Sequence, residues 1–178
     1  LGVFVHLQSF AVVLLTLVCA VTDIRRGKIY NKLTYPAVAL GLGLSVVLAP
    51  PDPLLSVTGM LGALIGYGLL SRVGGMGMGD VKLMAAVGAL KGLPFVFFSS
   101  FYIFCVASLA GVLLLAWRGR LLPVAKWVAG TLVATVIPGV SAPRLEGGMT
   151  TMPFGPFIFI GTAFCVVLEN LYGHPFTF

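Results

Sequence analysis

Five stretches of this chain, 1–22, 33–49, 54–71, 95–116 and 154–172, are apolar over nearly the length that crosses a bilayer. A helix needs about 20 such residues to span about 30 Å of hydrocarbon. Charged residues make up 9% of the 178 positions, against about 25% in a soluble domain. That leaves too little polar surface to coat a globule in water, so lipid must supply the coat. The pattern predicts an all-α, polytopic membrane protein with about six transmembrane helices, built as one domain over 1–178. The sixth run, 81–93, is rich in Gly and Ala and too short to cross alone. It crosses only if the Gly-rich loop before it dips into the membrane, where irregular backbone needs protein or a wet cavity around it. The first run carries its charges after the apolar stretch and not before it, so it reads as a retained span instead of a signal peptide.

The basic residues orient the spans. With the 23–32 loop in the cytoplasm, that side holds Arg25, Arg26, Lys28, Lys32, Arg72, Lys82, Arg118, Arg120, Lys126 and Arg144, and the far side only Lys91. This is a positive-inside distribution with both termini outside. It also accounts for the net charge of +6 without a nucleic-acid patch. The stretch 121–140, bounded by Pro123 and Pro138 and interrupted by Lys126, reads as an interfacial helix. Making it a seventh span would carry Arg144 to the outside. Pro50, Pro51 and Pro53 around Asp52 mark a tight outer turn.

Acidic groups near hydrocarbon are costly, and there are five: Asp23, Asp52, Asp80, Glu146 and Glu169. Asp52 reads as a solvated turn residue, Glu146 as a solvated partner of Arg144, and Glu169 as an interfacial group near the outer end of the last span. Asp23 closes the first span and Asp80 opens the short helix, and the topology places both at one membrane face. Two carboxylates at one depth suit aspartic peptidase chemistry: one is ionised to deprotonate water, the other protonated to polarise the scissile carbonyl. The plainer readings are an ion pair of Asp23 with Arg25, Arg26 or Lys28, and Asp80 as a helix cap. Cys19, Cys105 and Cys165 lie in apolar runs without CxxC spacing, and read as three buried small hydrophobes. No metal-ligand cluster and no cofactor are expected.

The loop 74–80, Gly74-Gly75-Met76-Gly77-Met78-Gly79-Asp80, holds four glycines in seven residues. Such a loop permits positive φ and close backbone approach. It ends in Gly-Asp-Val-Lys, not Gly-Lys-Ser/Thr, which argues against nucleotide binding. Gly77-Met78-Gly79-Asp80-Val81-Lys82-Leu83 resembles the GxGD signature of type IV prepilin peptidases. Asp23 through Asn31 resembles that family's first motif, and Pro153-Phe154-Gly155-Pro156-Phe157 its entry into the final span. The resemblance implies a six-span peptidase of the bacterial inner membrane, acting on prepilins or prepilin-like proteins at the cytoplasmic face. It assigns catalysis to Asp23 and Asp80, with Gly77, Gly79, Lys82 and Asn31 in support, and names no substrate-binding residues. The paired CxxC motifs of bifunctional members do not occur, so the chain is similar to the shorter, peptidase-only type of Flp or Tad pilus systems.

From the helix ends of the first and fourth helices, Asp80 is expected to be the water-activating base and Asp23 to carry the shared proton. The macrodipole favours a carboxylate at a helix start and disfavours one at a helix end, with Arg25 and Arg26 opposing. The alternative function is a transporter or ion-binding protein using the Asp pair as a proton or cation site, although inverted-repeat symmetry is not evident.

Overall fold

In a computed structural model of the chain, residues 2–48, 51–74, 76–136 and 153–172 are described. The elements are α1 (Gly2–Arg26), α2 (Asn31–Leu48), α3 (Pro53–Gly74), α4 (Met78–Trp117), α5 (Leu121–Val136) and α6 (Gly155–Tyr172). No strand occurs among the described residues. α1, α3, α4 and α6 contain segments long and apolar enough to cross a membrane, and the chain is an all-α membrane protein. Its outward faces carry Phe10, Val46, Val47, Ile65, Phe97 and Phe101, all exposed, as a surface facing lipid requires.

α4 takes in both the short run and the run after it. Between them Gly92 adopts φ 82° and ψ 175°, a conformation that glycine reaches without a Cβ penalty. Pro94 follows and cannot donate its turn's backbone hydrogen bond. The part before the break, 78–91, is about 21 Å long at about 1.5 Å per residue. It is buried almost throughout, from Leu83 to Gly92 without interruption, so its Gly and Ala residues serve packing on every side.

Small residues on the neighbouring helices bring backbones together there. A Cβ on Gly41 of α2 would lie 2.7 Å from the Ala89 carbonyl carbon, and one on Gly59 of α3 would lie 2.6 Å from that of Gly92. Gly88 of α4 faces the Gly59 backbone in return. Gly59→Val therefore forces α3 away from α4. It is expected to lower stability in detergent by about 1–3 kcal/mol or more, measured by thermal unfolding, while Gly68→Ala, which has open space around its Cβ position, is not. Equal unfolding of the two variants would contradict this contact.

α1 and α6 pack along their length. Ser9, Val12, Thr16, Cys19, Ala20 and Asp23 are buried on α1, and Gly155, Ile158, Thr162, Cys165 and Glu169 on α6, each set at the three-to-four-residue spacing of one helix face. Thr162 donates to Thr16 at 3.4 Å.

Three expectations change. Lys91 and Glu169 are not loop and interfacial groups: they are 5% and 1% exposed and form a 2.7 Å ion pair, with Lys91 Nζ also donating to Ser9 Oγ at 2.7 Å. Each is too costly to bury alone, and pairing offsets that cost. Cys105 is exposed while Cys19 and Cys165 are buried, because an apolar run has an outward face that periodicity alone does not mark. Asp52, by contrast, is exposed as a turn residue should be.

The chain divides into two compact units. The helices above, through Val106 and from Pro153, form the first; Ala107–Met152 forms the second. In the second, α4 ends at a turn where Gly119 has φ 64° and Arg120 N–H donates to the Leu115 carbonyl at 2.9 Å. α5 then covers 121–136 of the stretch read as an interfacial helix. Pro123 falls in its first turn, where proline is tolerated. Residues 137–140, Arg144 and Glu146 lie outside the described residues.

Candidate active site

Asp23 lies in the last turn of α1. The helix stops there because Gly27 takes φ 61° and donates its N–H to the Asp23 carbonyl at 2.7 Å, a left-handed C-terminal cap. Arg25 and Arg26 occupy the same turn, where cations complement the helix dipole. Both point to solvent, and Arg26 donates to the Tyr30 hydroxyl at 2.8 Å. The Asp23 carboxyl instead turns inward, 8% exposed, so the ion-pair reading with Arg26 is not what the structure adopts.

Asp80 enters from the start of α4. Its N–H donates to the Gly77 carbonyl at 3.0 Å, and its carboxyl accepts from the Gly77 backbone. That makes it the third helical residue reaching back to the cap, not the cap itself. It is 6% exposed, and its Oδ1 has no hydrogen-bond partner among the described residues. A buried carboxyl oxygen without a partner is costly. Asp23 and Asp80, far apart in sequence, lie within electrostatic reach of each other, and both reach the Cys19 thiol one turn back on α1.

Asp80 borders a pocket of about 280 Å³. Gly27, Lys28 and Ile29 of the α1–α2 loop form one side, and Gly77, Met78 and Gly79 the other. Neither Gly77 nor Gly79 has positive φ; among the described residues that conformation falls at Gly27, Gly92 and Gly119. Close approach is what calls for glycine here. A Cβ on Gly79 would lie 2.9 Å from Ile29 Cβ, and one on Gly77 would lie 3.2 Å from Asp80 Oδ2. Gly79→Val is accordingly expected to push the two loops apart. A displacement near 1 Å costs about 10²-fold in turnover, read as a drop in kcat for peptide cleavage; unchanged kcat would show that the loops need not touch.

Lys82 Nζ donates to Asn31 Oδ1 at 3.0 Å and lies 5.2 Å from the Tyr35 ring centroid. The two residues are thereby brought together, tying the start of α2 to the start of α4.

One contact at the site was not legible in the sequence. Gly155 N–H, at the first residue of α6, donates to Asp23 Oδ2 at 2.8 Å across 132 positions. The Pro153–Phe157 motif marked the segment but gave no hint of its partner.

A larger cavity, about 770 Å³, lies between α3 and the part of α4 after Gly92. It is apolar and holds no carboxylate; Tyr67 and Ser100, on its wall, bond each other at 2.9 Å. Asp80 borders the smaller pocket instead.

No curated protein and no solved structure matches the chain. The sequence model of the type IV leader peptidase family matches residues 10–168. That stretch takes in both aspartates, the Gly-rich loop and the start of α6, and with nearly the whole sequence inside it, this chain belongs to the type IV leader peptidase family.

Proposed function

We propose that this peptidase is of the aspartic type, with Asp23 and Asp80 as its catalytic dyad, and that it removes the leader from prepilins or prepilin-like membrane proteins. The observation that carries this reading is a pair of buried carboxylates, Asp23 of α1 and Asp80 of α4, within electrostatic reach of each other, with Asp80 on the wall of a pocket bordered by the Gly-rich loop. Like charges brought together share a proton. The ionised member takes a proton from water as the water oxygen attacks the scissile carbonyl carbon. The protonated member donates to the carbonyl oxygen; collapse of the tetrahedral intermediate returns one hydroxyl proton to that member and expels the amine, which leaves with the proton first taken from water.

The substrate that suits this site has a short basic leader followed by an apolar helix, so that the cut falls at the membrane edge. Asp23 and Asp80 sit at the ends of apolar segments, at such an edge. The basic residues favour the cytoplasmic face of a bacterial inner membrane for the site, with both termini outside. With Lys91 held in a buried ion pair, the basic residues exposed among the described ones, Arg25, Arg26, Lys28, Lys32, Arg72, Arg118, Arg120 and Lys126, all belong to the set assigned to the cytoplasmic side. The basic surface near the site disfavours recognising a basic leader by charge, which leaves main-chain contacts with the Gly-rich loop.

The test is cleavage by detergent-purified protein of a prepilin bearing its leader, with the new N-terminus sequenced. No leader loss under conditions where the protein is folded would overturn the reading.

A further inference from the structure

We propose that the backbone N–H of Gly155 positions Asp23 as the water-activating base of the dyad, leaving Asp80 as the proton donor; this rests on the aspartic peptidase reading above.

The expectation from helix ends counted α1 and α4, and the fold brings a third end to the site. Gly155 begins α6, and the first N–H groups of a helix have no partner within it. Pro156 contributes no donor, and the Phe157 N–H turns back to the Phe154 carbonyl at 3.1 Å. The Gly155 N–H goes to Asp23 Oδ2 at 2.8 Å in a buried bond. Asp23 therefore meets the positive end of α6, which offsets the negative end of its own helix. The approach is too close for any side chain: a Cβ at position 155 would lie 2.9 Å from both Cβ and Oδ2 of Asp23. At Asp80 the Oδ1 atom is buried with no partner among the described residues. A carboxylate there would leave a charged oxygen unpaired, whereas a carboxylic acid has an O–H to offer the scissile carbonyl.

The charged and titratable groups around Asp23 are few. Cys19 and Asp80 lie within electrostatic reach. Arg25, Arg26 and Lys28 are exposed, Lys82 is bonded to Asn31, and on α6 the acidic Glu169 is paired with Lys91 at the far end.

The experiment replaces Gly155 by glycolic acid in the full chain, so that an ester oxygen takes the place of the N–H and no atom is added. Cleavage of a prepilin is then followed across pH. The expected result is a kcat lowered about tenfold to a hundredfold with KM little changed, and an acidic limb of the pH–rate profile moved to higher pH. Removing a donor from the base makes it protonate more readily. Were Asp23 the acid of the pair, the alkaline limb would move instead, and that result, or no movement of either limb, overturns the proposal. The same ester at Gly161, away from the site, is expected to move neither limb; a matching shift there also overturns it. Gly155→Ala should be at least as impaired as the ester, but the ester decides if the alanine variant fails to fold. Cleavage surviving in Asp80→Asn would instead sink the dyad on which the proposal stands, an outcome visible before the ester is made.

Discussion

Asp23→Asn and Asp80→Asn are each expected to remove leader cleavage, by about 10²–10⁴-fold or more, while the protein still inserts and folds. An amide in place of either carboxyl can neither take a proton from water nor give one to the scissile carbonyl, as the proposed mechanism requires, and positioned acid–base groups contribute about that factor. The shapes are nearly the same, so the loss is chemical. Asn at 23 can still accept the Gly155 N–H through its amide oxygen, and Asn at 80 can still accept from Gly77. Both helix ends therefore keep their local bonds. Asp52→Asn, on an exposed turn residue, should leave kcat unchanged and serves as the control. Full activity in either dyad variant, with folding verified by thermal unfolding in detergent, would exclude an aspartic mechanism at this pair. The measurement is kcat for conversion of a prepilin to its mature form, with the cut confirmed by N-terminal sequencing.

Breaking the Lys91–Glu169 pair one partner at a time is expected to cost about 3–5 kcal/mol of stability, the largest effect foreseen away from the carboxylate pair. The side chains are 3% and 1% exposed and meet at 2.7 Å. Lys91→Met leaves a carboxylate, and Glu169→Leu an ammonium, inside the bundle without its counter-ion. Ser9, which also accepts a hydrogen bond from Lys91, is neutral and cannot replace the missing charge. The double variant Lys91→Met/Glu169→Leu removes both charges together and should be close to the parent, or more stable, since apolar pairs of similar size often equal buried ion pairs. A double-mutant cycle read by denaturant or thermal unfolding in detergent checks this. Additive losses would mean that the two residues do not act as a pair. Glu169 lies about 21 Å along α6 from Gly155 at about 1.5 Å per residue. The double variant is therefore expected to keep its cleavage activity.

The sequence by itself determined the class of fold, because lipid acts on each residue separately. Apolar runs of span length, few charges and short basic loops follow from that solvent, and α1, α2, α3, α4 and α6 lie where those runs were read. The two parts of α4 were read as separate runs, 81–93 and 95–116, and the structure puts the break between them at Gly92. Asp23 and Asp80 stood out for the same reason: a carboxyl at the edge of an apolar run is costly wherever the helix ends up. What the sequence could not give was the partner of each costly group. Glu169 read as interfacial and Lys91 as a loop cation, and tertiary structure made them one buried pair. Gly79 read as a residue allowing positive φ or close approach, and only the structure showed that it is the approach to Ile29 that matters. Asp23 read as lying at an unfavourable helix end until α6 brought the Gly155 N–H to it. Burial depends on one side chain and its solvent, which local composition records. Pairing depends on which helix faces meet, and that is decided only when backbones close, as at Gly41, Gly59 and Gly88, where α2 and α3 meet α4.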